Sequence, residues 1–213
     1  MKRIVGAVAL GVPMLIGSGY PVRAGYIVDL AQVGSDVIAT GTGTLDLAGL
    51  HAFNTGFFQS PILDPLVART ITGPASGGVT DGYIGATGPT SFGSRGGTFA
   101  SSGSGDLVGY SRSGSPSFPN LIVVPPGYHS GDPLMGTSTY DNQTFSSLGA
   151  IPGTYVWTWG SGADADSLTL NIGTVPAVPE PASLTLLGVA LAGLGVVHRR
   201  TQKQRMPRSS LPG

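Results

Sequence analysis

Chemistry in this chain would have to come from few residues. Between Gly25 and Val175 only His51 and His129 could act as a general base or as an imidazole ligand. A hydrolytic serine needs such a histidine, an acid to orient it, and an exposed turn to carry the nucleophile. No serine has glycine both two residues before and two residues after it, so the G-x-S-x-G elbow is absent, even in the Gly/Ser run Ser101–Gly105. No H-E-x-x-H motif and no pair of histidines at helical spacing is present, which removes the usual zinc arrangements. There is no cysteine, hence no disulfide and no thiolate metal site. Both histidines therefore read as surface or loop residues. We expect no catalytic residue, no metal and no cofactor.

The carboxylates allow little more. Glu180 is the sole glutamate, so a glycosidase here would need two aspartates roughly 5–9.5 Å apart in a cleft. Asp164 and Asp166 stand in the Gly-rich run Gly160–Asp166 and could offer oxygens to Ca²⁺. The EF-hand spacing is missing, and aspartates that bond their own backbone in a turn are the plainer reading. Tyr155, Trp157 and Trp159 recur at every second position, which puts the three rings on one face of a strand. Such a triad could form a platform on which sugar rings stack, although same-face aromatics in a strand read more simply as core.

These residues sit in a β-type chain. The protein has 213 residues, with Gly 35, Pro 17 and only 10% charged residues. Glycine without a strict period is not collagen, and the retained β-branched and aromatic residues argue against disorder. The runs Tyr26–Val33, Asp36–Thr40, Gly43–Leu47, Leu66–Thr72 and Leu121–Val124 are β-prone and end at Gly or Pro. Tyr155–Trp159 and Ser167–Ile172 alternate cleanly and flank a loop rich in Gly and Asp, which predicts a hairpin entered through Pro152-Gly153. No segment of 25–175 keeps a helical apolar period over three turns. The expectation is an all-β domain over residues 25–175, a sandwich or jelly roll.

Charge is segregated along the chain although the formal net charge is zero. Residues 25–178 hold ten aspartates, three arginines (Arg69, Arg95, Arg112) and no lysine, a formal charge of −7. Such a domain repels a phosphate backbone, so nucleic acid is not an expected partner. The remaining basic residues flank the apolar segments at the two ends. Lys2 and Arg3 precede the run Ile4–Ile16, and Val22-Arg23-Ala24 places small residues where a signal peptidase cuts. Residues 1–24 thus read as a signal peptide cleaved between Ala24 and Gly25. Ala182–Val197 is uncharged and apolar all round, about 24 Å long as a helix, and is followed by His198, Arg199 and Arg200. It reads as a single transmembrane helix through the inner membrane. By the positive-inside bias its basic tail, 201–213, stays cytoplasmic.

Pro179-Glu180-Pro181, the apolar helix and the basic cluster His198-Arg199-Arg200 together resemble the PEP-CTERM sorting signal of Gram-negative bacteria, here spanning 176–200. The run from Ser130-Gly131 through Asn142-Gln143-Thr144-Phe145 to Gly153–Gly160 also resembles the last portion of many uncharacterised PEP-CTERM proteins. The resemblance implies recognition of the tail by an exosortase, a membrane-embedded cysteine transpeptidase or protease. It implies transient anchoring in the inner membrane and a final location at the cell surface or outside the cell. It further implies association with extracellular polysaccharide, extracellular matrix and biofilm. The expected function is a non-enzymatic surface or matrix protein. The alternative is a secreted carbohydrate-binding protein or a polysaccharide hydrolase working with aspartates.

Overall fold

Glycine and proline cut the chain into short runs, and period-two patterning turns those runs into strands. The computed structural model describes residues 25–115 and 118–173. The expected signal peptide up to Ala24, the expected apolar helix 182–197, the Pro-Glu-Pro motif and the basic tail lie outside the described residues. Among the described residues no helix is long and apolar enough to cross a membrane.

Two sheets contain the strands. One is built from β1 (Tyr26–Val33), β2 (Asp36–Gly43), β8 (Ser102–Gly105), β11 (Leu134–Tyr140), β12 (Gly153–Trp159) and β13 (Asp166–Ile172), in the order β12-β13-β1-β2-β11-β8. The other comprises β3 (His51–Gln59), β4 (Ile62–Asp64), β5 (Arg69–Thr72), β6 (Gly78–Ile84), β7 (Thr98–Phe99), β9 (Val108–Ser111) and β10 (Leu121–Val124), in the order β3-β6-β10-β9-β5-β4-β7. The one α-helix among the described residues is the single turn α1 (Phe145–Leu148). It is closed by a reciprocal capping box between Thr144 and Ser147.

The sheets face each other across one core. Tyr26, Val28 and Leu30 of β1 point inward with Leu168, Leu170 and Ile172 of β13, while their neighbours alternate outward. From the other sheet, Val108 and Tyr110 of β9 and Ile122 and Val124 of β10 meet them. The Tyr110 and Trp157 rings stack across the layers with centroids 4.8 Å apart. The Tyr26 hydroxyl lies 3.0 Å from the Thr72 hydroxyl oxygen, and the Ser138 hydroxyl donates to the Gly73 carbonyl at 3.2 Å. Strand β10 is buried on both faces, which explains its unbroken apolar run. Its alternate residues Leu121 and Val123 join Ile62, Ile71 and Leu107 in a second cluster on the opposite side of the seven-stranded sheet.

The all-β expectation and the hairpin β12–β13 match this architecture, with Trp157 opposite Leu168 and Trp159 opposite Asp166. Three details differ. Gly43 closes β2 with φ +137, so Thr44–Leu47 form no strand and are held by the Tyr128 hydroxyl and the Gly25 carbonyl. Pro65–Val67 is a 3₁₀ turn ending in a left-handed Ala68 (φ 55), so β5 begins only at Arg69. Strand β3, nine residues long, falls in a stretch that mixes polar, aromatic and glycine residues without alternation. The structure also pairs β1 with β13 in parallel, joining the two ends of the described chain.

Candidate ligand groove

The residues that the sequence singles out for chemistry are mostly structural. Trp157 is 0% and Trp159 4% exposed. Their indole N–H groups donate to the carbonyls of Pro89 (3.1 Å) and Asp46 (2.7 Å). Tyr155 is half-buried, tilted against Phe92 at 5.6 Å, with its hydroxyl donating to Ile151. With both tryptophans inside, this triad offers no open pair of rings for a sugar, and the platform reading is corrected to core. The same alternation that aligned the rings turned them inward, because β12 pairs beside β13 over the main core.

Asp166 is likewise not a loop residue. It opens β13, is buried, and accepts from the backbone N–H of Asp46 (2.6 Å) and of Ser167 (2.7 Å). Asp164 ends an exposed 3₁₀ turn, Gly162–Asp164. Other aspartates also hold the frame together: Asp36 accepts from Asn142 N–H, Asp106 from Met135 N–H, and Asp81 from the N–H groups of Gly56 and Gly127. These are charge-assisted bonds to backbone N–H donors. His51 is exposed at the start of β3. His129 approaches Asp132 at 3.8 Å with both side chains exposed, an ion pair worth little in water. Among the described residues no three His, Asp or Glu converge as for a metal.

The open aromatic surface lies elsewhere, on β3. This strand is an edge of the seven-stranded sheet, and its register with β6 shifts twice, between Ala52 and Asn54 and between Asn54 and Phe57. Bulges of this kind re-aim side chains. Phe57 folds back over Gly82, where a Cβ would come within 2.8 Å of the ring, and packs on the outer apolar cluster. Phe53 stays 48% exposed. A cavity of about 170 Å³ opens between Phe53 and Phe57 on one wall and Phe118 and Pro119 on the other, with Leu121 on its floor. Asn54, Gln59 and Arg69 supply its polar edges. A second cavity, about 320 Å³, adjoins it across the shared wall Phe118-Pro119 and is lined by Arg112 and Asn120.

Backbone carbonyls orient both guanidinium groups. Arg69 Nε donates to the Arg112 carbonyl at 3.0 Å, and Arg112 Nη1 to the Thr90 carbonyl at 2.9 Å. No Asp, Glu or His lines either cavity. Flat apolar rings flanked by planar amide and guanidinium donors suit a ligand with apolar faces and polar edges. Sequence reasoning missed this site, although the dense aromatic run Phe53–Phe58, without a charge, was a usable signal.

Neither a curated protein nor a solved structure matches the chain. Residues 177–200 match the family model described as the PEP-CTERM protein-sorting motif, and this match contains Pro179, Glu180, Pro181, His198, Arg199 and Arg200. The chain thus carries the PEP-CTERM sorting signal at 177–200, the mark of an exosortase substrate, and that signal implies export across the membrane to the cell surface.

Proposed function

We propose that the exported domain is a non-enzymatic module of the cell surface or extracellular matrix, associated with extracellular polysaccharide in a biofilm, and that the β3 groove holds the polymer. The observation that carries this reading is the groove itself: Phe53, Phe57 and Phe118 give apolar walls, and Asn54, Gln59 and Arg69 give hydrogen-bonding edges. A sugar ring has the matching form, with apolar C–H faces and hydroxyls at its rim. The aspartates support the non-enzymatic part. Asp36, Asp46, Asp81, Asp106 and Asp166 accept backbone N–H bonds, which disposes them for holding loops rather than for acid–base work. Export by a signal peptide cleaved before Gly25 and transient inner-membrane anchoring through 182–197 complete the proposal.

Affinity electrophoresis of the full-length protein in detergent, through gels containing dextran or alginate, tests it. Retardation that Phe53→Ala abolishes is expected, with no release of reducing ends from either polymer. Unretarded migration in both gels would remove the polysaccharide reading, and release of reducing ends would revive the hydrolase.

A further inference from the structure

The charge of the groove opposes the charge of the domain around it. Of the ten aspartates, Asp29, Asp36 and Asp166 lie on β1, β2 and β13 of the six-stranded sheet, and Asp46, Asp141 and Asp164 in segments next to its strands. The groove, on the outer side of the other sheet, instead gathers Arg69 and Arg112, two of the domain's three basic side chains. We infer that the groove takes an anionic polysaccharide, one whose sugars carry carboxylates, in preference to a neutral glycan; this rests on reading the groove as a glycan site.

The arginines are positioned but not neutralised. Asp64 stands opposite Arg69 in the β4–β5 register, yet no ion pair joins them, and the one ion pair among the described residues is His129–Asp132. Asp81, also on this sheet, has its two oxygens engaged by Gly56 and Gly127 N–H. Arg69 uses Nε for the Arg112 carbonyl, which holds the guanidinium in place while its Nη groups have no described partner. A guanidinium edge of that kind matches a carboxylate in bidentate fashion, which a hydroxyl cannot reproduce. The two arginines occupy adjoining cavities that share the Phe118-Pro119 wall. Two guanidinium groups in neighbouring cavities suit a polymer that carries more than one charge along its chain. At physiological salt the Debye length is about 8 Å, so aspartates on the far sheet are largely screened, while a contact pair in the groove is screened much less and weakens only as salt is raised further.

The test uses full-length protein in detergent with alginate as the anionic probe and dextran as the neutral one, by calorimetry at two salt concentrations. Alginate should bind at least about tenfold more tightly than dextran and lose several-fold in affinity on raising salt, because its charged contacts are screened. Arg112→Gln should lower alginate affinity by about tenfold and dextran affinity by much less, so that the alginate-to-dextran ratio falls. Should that variant unfold earlier than the native protein, the alginate-to-dextran ratio and the salt dependence of the native protein decide. Equal affinity for the two polymers, or native-like alginate binding by folded Arg112→Gln, overturns the inference. If Phe53→Ala weakens both polymers while Arg112→Gln changes neither, the glycan site stands and the anion preference falls. If neither polymer binds, both fall together.

Discussion

The Trp157 indole lies flat against Tyr110, donates its N–H to Pro89, and is fully enclosed. Truncation therefore removes a large apolar volume and an interlayer contact and leaves the Pro89 carbonyl without its donor. Trp157→Ala should cost about 3–5 kcal/mol, read as a lower urea midpoint at unchanged slope. An unaltered midpoint would contradict its place in the core. Tyr26 makes a second residue-level case. Burial pushes its phenol up to about 12, the hydrogen bond with Thr72 pulls it partly back, and Asp106 adds a smaller upward push. The unfolded chain releases that proton near pH 10. Stability is therefore complete below about pH 10 and declines as the pH rises towards 12, by on the order of 2–3 kcal/mol in all. Buried Tyr140 acts in the same direction. Urea midpoints at pH 9 and pH 11 should differ accordingly, and Tyr26→Phe should flatten the difference; an equal slope in that variant would reject the assignment.

Among the elements, β13 shows how a loop and a strand depend on one carboxylate. Asp166 begins the strand and, through Asp46 N–H, ties the segment after β2 to it, while the Trp159 indole bonds the Asp46 carbonyl. Asp166→Ala would leave the Asp46 amide without its partner, and a loss of about 1–3 kcal/mol in unfolding free energy should follow. The same commitment to backbone N–H groups means that calorimetry should find no micromolar Ca²⁺ site that Asp164→Asn removes. These elements also show what the sequence could reveal. Strands β1, β10, β12 and β13 were legible because alternation or an unbroken apolar run states which faces are buried. It could not say that Asp166 belongs inside, since its acceptor role is set by Asp46, far away in the chain. Nor could it separate core aromatics from exposed ones. Trp157 and Phe53 are both aromatic residues in strands, and only the pairing of β12 over the core and the bulged edge position of β3 divide them. The groove was illegible for the same reason, as its two walls come from β3 and from the segment before β10 and meet only in the folded sheet.

At the scale of the whole molecule, the charge plan of the chain describes a route. Basic residues stand at both ends, at Lys2 and Arg3 and from Arg199 onward, and an acidic, lysine-free domain lies between them. The PEP-CTERM motif at 177–200 gives the second end its meaning as a sorting signal. We predict that the mature protein starts at Gly25 and lacks residues 182–213. Pro179 and Pro181 lack backbone N–H donors and disfavour helix at and before their positions, so entry of the motif into a protease cleft as extended chain is part of the prediction. On this prediction the uncharged run Ala182–Val197 is the membrane span that sets the depth of that motif. Arg199 and Arg200 resist being drawn through, since a charged side chain at mid-bilayer costs about 2.5–3.5 kcal/mol on insertion scales. A permanent anchor would share the last two properties, but it would not depend on the exosortase. Mass spectrometry of exported protein from cells with and without that enzyme distinguishes the two. Peptides from Leu184–His198 should appear only in the cells that lack it, and their persistence in mature protein from enzyme-containing cells would leave a plain membrane anchor in place of a processed signal.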